Sequence, residues 1–267
     1  MRVRAPAVAG FFYPGDPAEL EALVSELLAG AEPGAANTAA IPKALIVPHA
    51  GYAYSGPVAA SAYARLRQLR SRVRRVVLLG PAHREAVRGL AAPEADAFRK
   101  PLGLVGIDRE EVESLRELPQ LCVSERAHAP EHSLEVQLPF LQLALDDFSI
   151  VPLVVGEAGD DEVVAVIERL WGGAETLVVI SSDLSHYHDY ATACRLDAAT
   201  CRAIEALEPA SLDWESACGR VPVRGLLRAA RLNDLEAHTI DLRNSGDTAG
   251  DRDRVVGYGA WSFVPRS

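Results

Sequence analysis

The sequence predicts an α/β fold, specifically a three-layer α/β/α sandwich with a mostly parallel central sheet. Short aliphatic runs typical of buried strands, including 44–47, 75–79, 149–155 and 176–180, alternate along the chain with segments of helical length. Strands that alternate with helices in this way favour parallel pairing, with helices on both faces of the sheet. A length of 267 residues and a hydrophobic fraction of 49% suit one substantial core, so we expect a single domain over residues 1–267.

The first half of the chain begins with a Gly- and Pro-rich arm over residues 1–16, which we expect to lie on the core. Asp16 caps a helix that has Pro17 at its first position and ends near Leu28. A Gly- and Ala-rich loop follows at 29–40. The next predicted elements are, in order, a strand at 44–47, a helix from Pro57 to about Leu69, a strand at 75–79, short strands within 87–107, a helix from Asp108 to about Leu118 and a short strand near Cys122.

The second half of the chain continues the alternation of helices and strands. Ser133 is the expected N-cap of a helix that ends near Leu145, and Pro222 opens a later helix that ends near Leu232. The other predicted elements are a strand at 149–155, a helix at 160–171, the central strand at 176–180, a helix from Asp189 or Tyr190 to about Leu207, a helical stretch around Trp214 and two closing strands at 237–242 and 255–264.

Composition argues against several classes of function. A formal net charge of −10 disfavours a nucleic-acid-binding surface, which would need to be basic. The first residues lack a secretory signal, and no run approaches the ~18 apolar residues of a membrane span. Four scattered cysteines with no C-x-x-C pair indicate a reducing compartment rather than disulfides or a structural zinc knuckle. We therefore expect a cytoplasmic protein with no nucleic-acid or membrane partner.

Three predicted strands end in side chains capable of chemistry. P-H-A-G-Y places His49 after the first core strand, G-P-A-H places His83 after the second, and S-S-D-L-S-H places Asp183 and His186 after the central strand. A single histidine at a strand end is more often structural than a ligand. Adjacent parallel strands lie only about 4.8 Å apart, however, so equivalent strand-end side chains can converge on one ion. Asp183 and His186 would share one face of a helical turn, where the carboxylate could orient the imidazole.

Two further segments carry reactive side chains. E-H-S-L-E-V-Q places His132 near a predicted helix start, where helix-dipole pairing of its two glutamates is the ordinary interpretation and an anionic substrate group the alternative. Cys218, in A-C-G, could be a thiolate nucleophile or a soft metal ligand, and the sequence favours neither. The remaining candidates are expected to be structural, namely His128 and His188 on the surface, His238 in a strand, and Cys194 and Cys201 in the core.

Six motifs in the same order resemble the Memo family, which in prokaryotes is also called AmmeMemoRadiSam system protein B. They are R-x-P-A-V-A-G-x-F-Y-P from Arg4, P-H-A-G-Y from Pro48, G-P-A-H from Gly80, E-H-S-L-E-V-Q-L-P-F from Glu131, S-S-D-L-S-H from Ser181 and A-C-G from Ala217. With a closing G-Y-G-A that ends at Ala260, they cover essentially the whole chain, so the resemblance is highly specific.

The resemblance implies a fold similar to that of the class III, LigB-like extradiol dioxygenases. It also implies a metal pocket formed by His49, His83 and Cys218, with Asp183 and His186 beside it. The extradiol enzymes themselves bind iron through two histidines and a glutamate, so ring-cleaving activity does not follow from the shared fold.

The resulting hypothesis is a metal-binding protein with a non-haem iron, dioxygenase-like redox site whose substrate is left open. Fe(II) is the expected ion, with copper or zinc as alternatives, because a thiolate and two imidazoles disfavour magnesium and calcium. His186 and Asp183 are expected to transfer protons or orient ligands, and His132 to contact the substrate. Family association implies a radical-SAM protein and an AMMECR-type protein as partners. The alternatives are a non-catalytic module that binds a peptide or phosphopeptide, and a hydrolase with Cys218 as nucleophile and His186 as base.

Overall fold

The computed structural model describes residues 1–31 and 41–266, so most of the loop predicted at 29–40 lies outside the described residues. The described strands are Val3–Arg4 (β1), Ala44–Val47 (β2), Arg75–Pro81 (β3), Leu90–Ala92 (β4), Ala97–Lys100 (β5), Gly103–Ile107 (β6), Leu121–Val123 (β7), Ser149–Val155 (β8), Thr176–Ser181 (β9), His186–His188 (β10), Leu235–Asn244 (β11) and Val255–Pro265 (β12). The described α-helices are Pro17–Gly30 (α1), Tyr52–Tyr63 (α2), Arg109–Ser114 (α3), Glu125–His128 (α4), Leu138–Ala144 (α5), Asp160–Arg169 (α6), Tyr190–Glu205 (α7) and Arg220–Leu232 (α8).

One large sheet of twelve strands runs through the described part of the chain, in the order β1-β5-β6-β8-β3-β9-β2-β12-β10. In addition, β11 pairs with β12, and β4 pairs with both β8 and β7. The five central strands, from β6 to β2 in that order, are all parallel, and β12 runs antiparallel to β2. Because helices flank this sheet, the predicted α/β sandwich with a mostly parallel centre is confirmed.

The central strands are buried on both faces, which is why helices must cover the sheet twice. Every residue of β2 and β9 is buried, as are residues 76–81 of β3. On one side α1, α2 and α5 pack on one another, and α2 contacts β2 and β12. A second group consists of α6 and α8, and α8 contacts β3 and β9. The hydrophobic core lies between these helices and the sheet.

Most of the predicted elements appear where they were expected, but the predicted start of α2 at Pro57 is wrong. This helix begins at Tyr52, and Pro57 lies inside it instead of opening it. The turn before Pro57 forms because the Tyr52 N–H donates to the Phe12 carbonyl at 2.8 Å and the Ser55 N–H donates to the Gly51 carbonyl at 3.1 Å. Contacts with a distant segment, which local sequence does not reveal, therefore set this boundary.

Two other predicted helix starts are also displaced. The Ser133 hydroxyl donates to the Pro81 carbonyl at 3.0 Å instead of capping a helix, and a 3₁₀ turn at Glu135–Gln137 precedes α5. The helix predicted from Pro222 begins two residues earlier, at Arg220. The helical stretch predicted around Trp214 is a short 3₁₀ turn at Pro209–Ser211 followed by turns.

A buried carboxylate fixes the N-terminal arm to the core. Glu135 is fully buried, accepts hydrogen bonds from Arg4 Nη1 and from the Tyr13 hydroxyl, both at 2.6 Å, and has Lys100 Nζ at 2.9 Å. Two backbone amides of the arm complete the five donors, those of Ala7 and Val8. Burial raises the pKa of the Glu135 carboxyl, but the charges of Lys100 and Arg4 outweigh burial and hold that pKa at about 2.

No helix in residues 1–31 or 41–266 is both long and apolar enough to cross a membrane.

All four cysteines are free; Cys201 is buried, Cys218 is half-buried, and Cys122 and Cys194 are exposed. The prediction that Cys194 lies in the core is therefore wrong. It lies near the first turn of α7, where the neighbouring residues 191 and 195 also face solvent.

Candidate metal centre

Two histidines and an aspartate occupy equivalent positions beyond three neighbouring strands. β3, β9 and β2 are adjacent and parallel in the sheet. His83, Asp183 and His49 each lie two residues past the end of their respective strand. Because the carboxyl ends of parallel strands meet at one edge, the topology brings these three side chains together.

His49 is buried and held in one orientation. Its backbone N–H donates to Asp183 Oδ1 at 2.7 Å, and its Nδ1 lies 2.9 Å from Ser181 Oγ. The Ser181 hydroxyl already donates to the Ser133 carbonyl at 2.6 Å, so Oγ must accept a hydrogen bond from the His49 Nδ1–H. Burial, followed by the charge of His83, lowers the pKa of His49 to about 3. The ring is therefore neutral and protonated on Nδ1, which leaves the Nε2 lone pair free for a metal ion.

Glu131 orients His83. Its carboxylate accepts the His83 backbone N–H at 2.6 Å and lies 3.0 Å from His83 Nδ1, and it also accepts the backbone N–H groups of His132 and Ser133, each at 2.8 Å. Burial raises the pKa of the Glu131 carboxyl, but hydrogen bonding to His83 and the charge of that ring outweigh burial and hold the pKa at about 2. An ionised Glu131 keeps the proton on His83 Nδ1, so the Nε2 atom of His83 is also available to a metal ion.

His132 completes a cluster of three imidazoles. The ring centroids of His83 and His132 are 4.7 Å apart, those of His49 and His83 5.1 Å, and those of His49 and His132 5.6 Å. One ring nitrogen from each histidine lies within 4.8 Å of the other two, so the three residues could hold a metal ion. His132 Nδ1 is buried without a hydrogen-bond partner in the described part of the chain. Burial lowers the pKa of His132 to about 4, and Phe12 of the arm packs edge-on against its ring.

Cys218 lies next to this cluster, against His49. Its Sγ is 3.3 Å from His49 Nε2 and accepts the Asp183 backbone N–H at 3.3 Å, while the Cys218 N–H donates to the Asp183 carbonyl at 3.2 Å. Gly219 permits this close approach, because a Cβ at that position would come within 2.7 Å of the Ser182 side chain. Burial, followed by the charge of Asp183, raises the pKa of the Cys218 thiol. The structure thus brings Cys218 to His49, whereas the donor atoms that all lie within 4.8 Å of one another are those of His49, His83 and His132.

Asp183 faces His49, whereas the helical turn expected to join it to His186 is absent. Asp183 Oδ2 lies 4.0 Å from His49 Nε2, and burial raises the pKa of this carboxyl. His186 begins β10, which pairs with β12, and its Nδ1 lies 2.8 Å from the Leu184 carbonyl. Strand pairing therefore keeps residues 183–186 extended, and no hydrogen bond joins Asp183 to His186 within the described residues.

His128 is buried, so the prediction of a surface position for it is wrong. Its Nε2 lies 2.8 Å from the Ala91 carbonyl, and its ring packs edge-on against Phe98 with centroids 6.0 Å apart. The short helix α4 packs against β4, which turns this side chain inward. His188 is half-buried on β10.

Two residues that orient the histidines, Glu131 and Ser181, were not predicted from the sequence to do so. Glu131 directly precedes His132, and Ser181 is the last residue of the central strand that delivers Asp183. Those positions are the available signals, but the hydrogen-bonding partners lie 48 residues away in one case and 132 in the other. Adjacency to a candidate histidine would have been a useful criterion for Glu131.

A family model described as Memo-like protein matches residues 4–262 of the chain. The chain belongs to the Memo family. A MEMO1 family protein of Aquifex aeolicus is 42% identical, over 99% of this chain and 100% of its own length. A MEMO1 family protein of Aeropyrum pernix is 38% identical, over 97% of this chain and 99% of its own length. The resemblance predicted from the motifs is therefore confirmed.

A solved structure with a similar fold is that of an uncharacterized protein, JW3007, from Escherichia coli K12. It superposes on this Memo protein with a TM-score of 0.53, covering 83% of this chain and 99% of its own. Sequence identity is only 13%, so the similarity concerns the fold alone. It agrees with the α/β architecture described above.

Proposed function

We propose that this Memo protein is a metal-dependent oxidoreductase, similar in its site to the non-haem iron dioxygenases. Its centre would hold one transition-metal ion, Fe(II) in preference to copper or zinc. The observation that supports the proposal is the convergence of three imidazoles with the sulfur of Cys218 beside them. His49 and His83 are the two firmly oriented donors, and His132 and Cys218 complete the donor set.

The chemistry of this donor set fits such an ion. Imidazole nitrogen and thiolate sulfur suit iron, copper and zinc, whereas magnesium and calcium prefer oxygen ligands. A buried polar atom without a hydrogen bond is uncommon in folded proteins, and His132 Nδ1 forms none within the described residues, although Glu131 Oε1 lies 3.3 Å away. Ser181 and Glu131 contact the Nδ1 atoms of His49 and His83, so the Nε2 atoms remain for a cation, and His49 Nε2 lies 3.3 Å from Cys218 Sγ.

The surrounding side chains determine how the centre would work. Glu131 fixes the ring of His83 and Ser181 fixes that of His49, so neither donor nitrogen can turn away. Asp183 Oδ1 is committed to the His49 backbone, and Oδ2 is the oxygen available to accept a proton from a bound substrate. We assign His186, half-buried at the start of β10, to passing that proton to solvent. When bound, the ion would supply redox chemistry at the centre.

The thiol-hydrolase alternative has weaker support. Cys218 lies beside the buried carboxylate of Asp183, and a neighbouring negative charge opposes formation of the thiolate nucleophile. The ring nitrogen next to its sulfur belongs to His49, not to His186, the base in that hypothesis. The peptide-binding alternative gains no specific contact from the described residues.

Cellular context belongs to the same proposal. We place the protein in the cytoplasm, because four free cysteines suit a reducing compartment. A radical-SAM protein and an AMMECR-type protein are proposed as partners on the family resemblance alone.

Reconstitution without oxygen tests the proposal. Metal-free protein incubated with Fe(II), then desalted, is expected to retain about one ion per chain by elemental analysis. The matched control is His238→Ala, because His238 lies on β11 outside the cluster, with its Nε2 2.9 Å from Glu236. That variant should retain the same amount. If the wild-type protein retains neither iron, copper nor zinc, the proposal fails and the peptide-binding alternative is strengthened.

A second prediction concerns the carboxylate behind His83. Glu131→Gln is expected to weaken metal affinity about 10- to 100-fold, because a neutral amide orients the imidazole less firmly and makes it less basic. A chelator-competition titration measures the dissociation constant. Glu113→Gln, which alters an exposed carboxylate on α3, is the control. An unchanged dissociation constant for Glu131→Gln would contradict the assigned role.

A further inference from the structure

A cleft of about 1080 Å³ opens beside the candidate metal centre. Its wall includes Pro81 and Ala82, which directly precede His83, and Cys218, whose sulfur lies 3.3 Å from His49 Nε2. The volume is slightly above the range of about 300–1,000 Å³ that is typical of small-molecule sites. A small molecule in this cleft would therefore lie next to the candidate metal ligands.

Two arginines that lack an ionic partner line this cleft. Arg220 is half-buried at the first position of α8, and Arg88 is exposed just before β4. Neither guanidinium group forms an ion pair or a side-chain hydrogen bond with another residue in 1–31 or 41–266. The next arginines along α8 differ in this respect, because Arg224 pairs with Asp160 and Arg228 with Asp161. Arg220 therefore points to a ligand that the chain itself does not provide.

The two carboxylates in the cleft do not neutralise this pair. Glu85 is engaged by Arg126 at 3.1 Å. Glu157 lies opposite Arg88 in an isolated backbone bridge, and its carboxylate forms no ion pair within the described residues. Arg220 therefore has no counter-ion among those residues, although the chain as a whole has a net charge of −10. Partial burial of a cation without a counter-ion is unfavourable, and a bound anion would remove that cost.

We propose that Arg220, assisted by Arg88, binds a carboxylate or phosphate group of a small-molecule substrate. This inference rests on the proposed function, since it names the class of molecule that the metal centre would act on. A planar guanidinium presents paired donors that match two oxygens of either anion. The net charge of −10 repels polyanions such as nucleic acids, so the ligand is a small anion.

Calorimetric titration of metal-free protein with inorganic phosphate and, separately, with succinate tests the inference at constant ionic strength. We expect at least one of the two anions to bind, and the stronger of them identifies the preferred group. Arg220→Gln should weaken that binding at least about tenfold, because a hydrogen-bonded charge pair is lost. Arg220→Lys keeps the charge but loses the planar pair of N–H donors. Its affinity for the anion should therefore lie between those of the wild type and Arg220→Gln.

The matched control is Arg231→Gln, because Arg231 is an exposed arginine in the last turn of the same helix and has no ion pair within the described residues. Equal affinities of Arg220→Gln and Arg231→Gln, or no binding of either anion by the wild-type protein, would overturn the inference. Metal retention by Arg220→Gln is measured in parallel. Normal retention with lost anion binding supports the inference, whereas anion binding by a protein that retains no metal would refute the proposed function alone.

Discussion

Replacing Glu135 by glutamine is expected to lower the free energy of unfolding by about 3–5 kcal/mol, the usual cost of removing one partner from a buried ion cluster. The variant leaves the guanidinium of Arg4 and the ammonium of Lys100 buried without their shared counter-ion. It also turns an acceptor of five donors into an amide that cannot accept all of them. The arm should consequently detach from the core before the rest of the molecule unfolds.

The pH dependence of stability provides an independent check. The pKa of the Glu135 carboxyl is lowered from 4.5 to about 2, so its contribution of about 3 kcal/mol is present above pH 4.5 and is lost as the pH falls towards 2. The pKa of Lys100 is lowered by burial to about 7 despite the carboxylate nearby. The partners differ because Glu135 has five donors around it, whereas Lys100 has only one carboxylate; we therefore base the prediction on Glu135.

Chemical denaturation at pH 7 measures the effect, with Glu21→Gln on the exposed side of α1 as the control. The control should unfold within about 0.5 kcal/mol of the wild type. The difference between wild type and Glu135→Gln should shrink as the pH falls from 4.5 towards 2. Equal stability of the two proteins at pH 7 would mean that the cluster contributes nothing net.

His49→Ala and His83→Ala are each expected to weaken metal binding about 10²- to 10³-fold. A structural zinc site is worth about 10–16 kcal/mol, so each of three or four donors accounts for roughly 3–4 kcal/mol. These two histidines are expected to matter most, since a hydrogen bond donated by Nδ1–H pre-orients each ring and leaves Nε2 free. Chelator competition on protein with an unchanged thermal unfolding profile separates lost ligation from lost folding.

His132→Ala and Cys218→Ser resolve the remaining positions of the same centre. If both residues are donors, each variant should bind at least tenfold more weakly than wild type. A variant whose affinity stays within twofold of wild type identifies a residue outside the coordination shell. Wild-type affinity in His49→Ala would contradict the centre as a whole, because His49 belongs to both the three-histidine set and the set with Cys218.

Much of the fold follows from local pattern. The runs 44–47 and 149–155 appear as strands with the predicted bounds, because predominantly aliphatic runs are stable only where both faces are covered. The start of α2 could not be predicted from local pattern, because it depends on the Phe12 carbonyl, forty residues earlier in the chain. Similarly, Ser133 is a residue type that often caps helices, but its hydroxyl donates to the Pro81 carbonyl at the end of β3. Local sequence does not carry such long-range hydrogen bonds.

The candidate site was predictable where topology alone decides position. Equivalent ends of parallel strands brought His49, His83 and Asp183 together, as expected. The inward turn of His128 and the absence of a helical turn before His186 depend on how short elements pack, which residue spacing does not determine. The orienting role of Glu131 combines one local contact with one across 48 residues, so only its local half was visible.

The buried ion pair between Arg4 of the arm and Glu135 has a consequence for biosynthesis. Arg4 leaves the ribosome 131 residues ahead of the carboxylate that binds it, an interval of roughly 7–26 s at common elongation rates. Throughout that time Arg4 lacks the carboxylate that neutralises its charge in the folded protein. The arm can pair with Phe98 earlier, but its closure over Glu135, with Phe12 against His132, must wait until the first half of the chain has been synthesised.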